Sequence, residues 1–397
     1  MPELLTIEQA LEQVFAHVHP LPAESVDLER AAGRVLREPA RATVDLPPFP
    51  SSAMDGFAVR AADTPAELPV AFRVAAGAAP PGPLPPGSAA GIATGGTVPE
   101  GADAVVPVEL VEERGDSVLL SAPATAGQHV RPRAGDVRAG DVVVPAGVRL
   151  GATRIGALAA AGVSVVRCSP RPRVAVLATG SELRSPGSEL EPGQIYESNR
   201  VMIAAALEGA GADVDVLPVV EDDVDAHRAA LERGLEADVL VTSGGVSMGP
   251  HDLVRRVAAE LGVEEVFWGV AVKPGKPLAF GVRGETLVFG LPGNPVSSLV
   301  SSLVFVCPAL LALQGLDAPE PAYVPGRAAS PLRRNPHRDE FVRARRVRTA
   351  DGTVLEAVRG QESHMIVRAA AADALVFVPR GDGEIAAGES VGYLPLD

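Results

Sequence analysis

Between residues 173 and 316, short β-branched runs alternate with helical patterns, and this alternation limits the possible folds more than any other feature of the chain. RVAVLAT, DVDVLPVV and DVLVTSGG read as strands, NRVMIAAALEGAG and DAHRAALERGLEA as helices. Apolar runs bracketed by helices are strands buried on both faces, as in a parallel sheet. Strands joined through helical crossovers wind right-handed, so the segment predicts a doubly wound, three-layer α/β domain.

The flanking chain has a different texture. Residues 1–44 look helical apart from a break at His19-Pro20-Leu21-Pro22, with Thr6 and Gln9 set for a capping box and Ile7, Leu11 and Val14 on one stripe. Residues 45–133 carry short strand patterns, turns and the proline-rich AAPPGPLPPG. AGDVRAGDVVVPAG then repeats a turn unit, GATRIGALAAAG looks helical, and residues 168–173 resemble a linker. The tail returns to short alternating runs such as FVRARRVR and ALVFVPRG, as a small β-barrel or sandwich does. Four domains are expected: a helical/mixed one from 1–44 with 134–168, an inserted mainly-β one at 45–133, the α/β domain at 169–316 and a β-barrel-like one at 317–397.

A formal net charge of -15 repels polyanions, which argues against nucleic acid as the main partner. Any anionic substrate must be held by a local cluster of cations. Cys168 and Cys307 are the two cysteines, far apart and near no histidine pair, so neither a disulfide framework nor a zinc site is indicated and a reducing, cytoplasmic setting is expected. The N-terminus lacks the basic region and apolar core of a signal peptide. Val296 to Leu313 is uncharged and near the minimum length of a membrane span, but it holds four serines and Pro308 and lacks a cationic flank, so it is expected to be a buried core helix.

Ligands of open α/β sheets bind beyond the carboxyl ends of the strands. Reading only those ends collects Thr179, Gly180, Ser181 and Glu182; Glu221, Asp222 and Asp223; Ser243, Gly244, Gly245, Ser247 and Asp252; Lys273 and Lys276; and Pro292, Gly293, Asn294 and Pro295. Gly244 and Gly245 let the backbone turn sharply or approach a ligand. Asn294 suits an N-cap with proline at N1, a helix start that favours anions. Lys273 and Lys276 are able to grip a phosphate or other oxyanion, or simply to be a solvated turn. Asp222 and Asp252, beyond neighbouring strands, can hold magnesium through water and substrate oxygens, or simply start helices.

In order and spacing, SAMDGFA (52–58), TGGTVPEGADAVVPVE (94–109), VRPRAGDVRAGD (130–141), TGSEL, SGGVSMGPHD, KPGKP, GLPGNPVS and GQESH resemble the molybdopterin molybdenumtransferases, a family that includes the E domain of gephyrin. The resemblance spans nearly the whole chain. It implies a four-part homodimer whose active site lies between the α/β domain of one subunit and the inserted domain of the other. It implies insertion of molybdenum from molybdate into adenylylated molybdopterin, with Mg2+-assisted release of AMP, and transient contact with a molybdopterin adenylyltransferase. Position by position it points to Asp55, Thr94 and Asp136 in the N-terminal half, to Glu182, Asp222, Asp252, Lys273, Lys276, Pro292 and Pro295 on the α/β rim, and to Arg343 and Ser363 near the C-terminus. Asp222 and Asp252 would be the metal ligands. Lys273, Lys276, Arg343, Ser297, Ser363 and backbone N–H groups at the helix start would replace the hydration shell of a tetrahedral dianion.

The chain departs from the family pattern in three places. Ser181 stands where TGDEL has aspartate, Gly269 where some members carry a base, and Val367, Arg368 and Ala369 where serines and leucine are commoner. Molybdopterin adenylyltransferases and a group of nucleotide amidohydrolases share the SGG-bearing α/β domain but lack SAMDGFA and VPEGADAVV. A scaffolding role remains the other alternative, and the lysines and acids of the rim favour the enzyme.

Overall fold

A computed structural model describes residues 4–221, 223–245 and 253–396. The chain divides into two compact units, one of residues 25–32 and 38–168, the other of residues 1–24, 33–37 and 169–397.

The first helix, α1 (Ile7–Ala16), starts on the expected capping box: Thr6 accepts from the Gln9 N–H and the Gln9 side chain accepts from the Thr6 N–H. Its stripe of Ile7, Ala10, Leu11 and Val14 packs into the same core as the α/β sheet, so this helix belongs to the larger unit. The sequence grouped it with residues 134–168, because an amphipathic stripe shows that a helix has a partner without showing which one. After α1 the expected helical character of residues 1–44 ends: Glu24–Asp27 is a strand, and Ala40–Arg41 pairs with Val142–Val144.

The smaller unit is built on a six-stranded sheet of β1 (Gly56–Val59), β2 (Ala66–Val74), β3 (Ala89–Ile92), β4 (Ala104–Pro107), β5 (Val111–Arg114) and β6 (Ser117–Leu120), in the order β4-β1-β3-β2-β6-β5. All four residues of β1 are buried, Phe57 and Val59 toward one apolar cluster and Ala58 toward the other. Gly56 is required by that burial. A Cβ there would stand 2.0 Å from the carbonyl oxygen of Val106. Helix α2 (Ala152–Ala160) follows later in the same unit.

The larger unit contains β7 (Arg173–Ala178), α3 (Asn199–Gly209), β8 (Asp213–Val216), α4 (Val224–Gly234), β9 (Val239–Ser243), α5 (Leu253–Glu260), β10 (Glu264–Trp268), β11 (Ala279–Arg283) and β12 (Thr286–Leu291). The sheet order is β8-β7-β9-β12-β11-β10. The first four are parallel, as the alternation predicts, whereas β11 runs antiparallel to both β12 and β10. Only Gly284 and Glu285 separate β11 from β12, too short a link for the crossover that a parallel pair needs. One face sets Val174, Val176, Val239, Val241 and Phe289 against α1, α3 and the helix after β12; the other sets Leu177, Leu240 and Val288 against α4 and α5. Each fully buried Val, Leu or Phe contributes about 1.5–3 kcal/mol relative to an exposed one.

Pro295–Leu313 forms a continuous helical path: α6 (Pro295–Ser301), a π turn at Ser302–Val306 and α7 (Cys307–Leu313). It is long and apolar enough to cross a membrane, but 78% of it is buried in the unit, the core-helix position expected from its serines. The wide turn has a local cause: Pro308 has no N–H for the carbonyl four residues back, and its ring crowds that carbonyl.

The C-terminal strands β13 (Val324–Ala328), β14 (Asp339–Thr349), β15 (Gly352–Ala357), β16 (Ala374–Val378) and β17 (Ser390–Pro395) run in the order β14-β15-β13-β17-β16, and β14 also pairs with β16, closing the sheet into a barrel. The two-residue strand Val272–Lys273 adds to it alongside β14.

Candidate functional site

The carboxyl ends of β7, β9 and β12 open into a polar cavity of about 510 Å³. Its wall includes Thr179, Gly180, Glu182, Ser243, Gly244, Gly245, Gly293, Asn294 and Pro295, so three of the sequence-predicted strand-end loops meet there in this one unit. Gly244 (φ 90°) and Gly245 (φ 65°) both occupy the left-handed region, which explains the repeated glycine. The Gly244 N–H donates to the Leu291 carbonyl at 3.1 Å, tying the SGG turn to the end of β12. Asp222, Ser247 and Asp252, named from the sequence for the same rim, lie outside the described residues.

A second pocket of about 420 Å³ adjoins the first, with Asn294 and His364 lining both. It gathers Lys273, Lys276, Pro292, Ser297 and Ser363 with Arg338, Glu340 and Glu362. The KPGK turn packs tightly on α6: a Cβ on Gly275 would lie 3.1 Å from Ser301 Oγ, and its φ of 121° favours glycine. Lys273 Nζ stands 2.8 Å from Glu340 Oε1.

Two sequence expectations change in detail. Asn294 occupies the N-cap position with Pro295 behind it, but its side chain makes no capping bond; Asn294 Nδ2 donates to Ser363 Oγ at 2.9 Å. The Val296 N–H donates to the Ser363 carbonyl at 3.0 Å, so residue 363 takes up one of the helix-start donors that a capping side chain ordinarily serves. Arg343, expected to contact substrate, is 1% exposed and lines neither cavity. Its guanidinium donates to the carbonyls of Gly360 (2.7 Å), Met365 (3.1 Å) and Glu362 (3.3 Å), and Nε to Gln361 Oε1 (3.3 Å). Burial pulls its pKa below the usual arginine value, with Glu362 opposing that shift. The arginine is a rivet for the loop that presents Ser363 and His364. A buried cation on a central barrel strand satisfies itself with nearby carbonyls, which the sequence pattern FVRARRVR does not reveal.

In the smaller unit, Asp55 and Thr94 come together: the Thr94 N–H donates to Asp55 Oδ1 at 2.8 Å. The SAMDG and TGG turns are stitched further by Ser52 N–H to Gly96 O (2.9 Å) and Gly95 N–H to Ser52 O (2.8 Å). Asp55 also lines a pocket of about 370 Å³ with Arg73 and Glu113, which are themselves paired at 2.6 Å. Asp136 is exposed, its N–H bonded to the Leu46 carbonyl at 2.9 Å.

Three family profiles cover most of the chain: the MoeA N-terminal region (domain I and II) over residues 5–162, a probable molybdopterin binding domain over 175–312, and the MoeA C-terminal region (domain IV) over 325–396. Molybdopterin molybdenumtransferase 2 of Mycobacterium tuberculosis is 42% identical over 382 residues, covering 92% of this chain and 93% of that protein. The chain belongs to the molybdopterin molybdenumtransferase family. The molybdopterin molybdenumtransferase of Haemophilus influenzae is 33% identical, with 99% of each chain covered. Among solved structures, a molybdopterin biosynthesis moea protein from Pyrococcus horikosii matches with a TM-score of 0.83 and 32% identity over 100% of both chains.

Within this molybdopterin molybdenumtransferase fold, several site-building residues escape a reading of strand ends. Asn199, at the start of α3, donates from Nδ2 to Ser243 Oγ (2.8 Å) and to the Gly293 carbonyl (2.7 Å), clamping the SGG and PGN turns together. Buried Glu197 (2% exposed) accepts from Arg200 Nε at 3.0 Å and from the Arg200 N–H at 2.8 Å, fixing the approach to that helix. Glu340 and His364 enter from the barrel. An asparagine opening a helix reads as a plain capping residue, and the barrel residues come from a strand and a loop far along the chain.

Proposed function

We propose that this transferase inserts molybdenum, taken from molybdate, into adenylylated molybdopterin and releases AMP in a magnesium-dependent step. The observation that carries this reading is the pairing of two adjoining pockets that share Asn294 and His364. The larger one, with bare glycine backbone, hydroxyls and a helix start, has the volume of an organic ligand site and suits a phosphate-bearing pterin. The smaller one suits an inorganic dianion, with Lys273, Lys276, Ser297 and Ser363 offered to its oxygens. Metal transfer between two bound species depends chiefly on holding them in register, which fits a site without a reactive thiol at its rim.

Magnesium fits only in part. Among the described residues no group of three or more His, Cys, Asp or Glu gathers as a metal site, and Glu182 and Glu197 are the carboxylates on the larger cavity's wall, the second engaged by Arg200. The ion's ligands are therefore assigned to Asp222 and Asp252 on the family resemblance, and no chemical step here is routed through it. Asp55, Thr94 and Asp136 complete the site in this reading, supplied by the partner subunit of a homodimer. A cytoplasmic setting and a transient encounter with a molybdopterin adenylyltransferase belong to the same reading.

The test is to incubate the full chain with adenylylated molybdopterin, magnesium and molybdate and to measure AMP and metal-loaded product. Molybdate-dependent AMP release that falls at least tenfold in Lys276→Ala and Asp252→Ala is expected. Binding of the pterin without turnover in any condition would overturn the enzymatic reading and favour a scaffold.

A further inference from the structure

We propose that Glu340 sets how tightly the lysine pocket retains a tetrahedral oxyanion, by competing with that anion for Lys273; the proposal rests on the oxyanion reading of the pocket. The two groups are 2.8 Å apart, with side-chain exposures of 46% for Lys273 and 17% for Glu340. The pair is fixed by the fold. Lys273 and Glu340 are register partners where Val272–Lys273 runs parallel to β14, and on its other side Glu340 stands opposite Val378 of β16. Neighbouring Asp339 is 5% exposed, its N–H donates to the Ala271 carbonyl (2.9 Å) and its carboxylate accepts from the Arg380 N–H (2.8 Å). A carboxylate is thus held in the wall of a pocket whose other charged lining groups are Lys276, Arg338 and Glu362, with His364 at its border.

An oxyanion entering the pocket must share the Lys273 ammonium with this carboxylate and stand close to it. The repulsion follows the product of charges, so it is twice as large for a dianion as for a monoanion at the same place. Without Glu340, the cations would hold any tetrahedral dianion firmly, abundant sulfate and phosphate included, and would release a cargo oxyanion slowly to its acceptor. With Glu340 the grip is loosened most for dianions. A purely structural role, in which Glu340 only positions Lys273, has the opposite sign: its loss would weaken anion binding.

The experiment is calorimetric titration of the full chain with molybdate and sulfate as dianions and perrhenate as a tetrahedral monoanion. It compares the natural protein with Glu340→Gln, Lys276→Ala, Lys273→Met and the double variant Lys273→Met/Glu340→Gln. In Glu340→Gln, affinity is expected to rise about threefold for perrhenate and about tenfold, roughly the square, for the two dianions. Lys273→Met should bind most weakly, and adding Glu340→Gln to it should recover part of the loss even if the single glutamine variant folds poorly. Unchanged or weaker binding in Glu340→Gln together with no recovery in the double variant overturns the proposal, as does an equal gain for monoanion and dianion. Absence of binding in the natural protein and in Glu340→Gln alike overturns the oxyanion reading and the proposal with it. Binding that Lys276→Ala abolishes but Glu340→Gln leaves unaltered overturns the proposal alone.

Discussion

Asn294 Nδ2 donates to Ser363 Oγ at 2.9 Å, so the start of the buried helix and the GQESH loop share one wall of the pocket that holds Lys273 and Lys276. The bond joins residues 69 positions apart in sequence. A double-mutant cycle of Asn294→Ala and Ser363→Ala should therefore show a coupling energy of about 0.5–1.5 kcal/mol in urea unfolding, the ordinary worth of one such bond. Molybdate affinity should fall in each single variant and fall little further in the double. Independent losses would show that the two residues serve the pocket separately.

Arg343 serves that wall from behind. Its donors reach three carbonyls and one side-chain oxygen of residues 360–365 from a site that is 1% exposed. Arg343→Ala removes these four bonds and leaves a void at a buried site, and should cost about 3 kcal/mol of unfolding free energy. Arg343→Lys should rescue little, because a single ammonium cannot span the fork of acceptors. If Arg343 instead contacted substrate directly, the alanine variant would unfold normally while losing affinity, and urea unfolding beside molybdate titration separates the two outcomes.

The rim of the α/β domain was legible because strand ends in a parallel sheet all face one way, which makes the positions of Gly244, Gly293 and Lys273 follow from the alternation alone. The residues that hold those turns in place were not. Asn199 opens a helix and reads as a capping residue until the fold brings Ser243 and Gly293 within its reach. Glu340 sits on a strand whose pairing with Lys273 joins segments 67 residues apart, a relation that no local pattern encodes. The antiparallel turn of β11 was hidden for a simpler reason: apolar runs reveal burial but not direction, and only the two-residue link between β11 and β12 forces the reversal. The partner of α1 was invisible on the same ground, since its stripe would suit any apolar surface.

In the smaller unit the SAMDGFA turn depends on Gly56. The 2.0 Å approach of its would-be Cβ to the Val106 carbonyl cannot be relieved without moving β1 from β4. Gly56→Ala should destabilise the protein by about 3 kcal/mol, at the upper end of overpacking costs. Gly151→Ala is the control: nothing stands within 4 Å of its Cβ, so its midpoint in urea should stay close to that of the natural protein. Similar midpoints for the two variants would contradict the close packing of the turn.

Cys307 sits 9% exposed at the head of α7, and burial pushes its thiol pKa up from the ordinary 9.0 to about 12. The sign of the resulting pH dependence follows from which state loses the proton first. Below the unfolded pKa both states keep it, and the group adds no slope. Above that value the unfolded chain releases the proton while the folded chain retains it, so the unfolded state binds fewer protons and folding stability falls as pH rises. The loss should begin near pH 9 and continue toward about 12, with a slope approaching roughly 1.4 kcal/mol per pH unit. Tyr323, whose pKa burial also raises, adds slope of the same sign at still higher pH. Comparing the natural protein with Cys307→Ala isolates the thiol: the variant should start less stable at pH 7 because of the lost side-chain packing, yet lose less on going from pH 8 to pH 10.5. Parallel stability curves for the two proteins over that interval would mean that the thiol ionises in the folded state as freely as in the unfolded one.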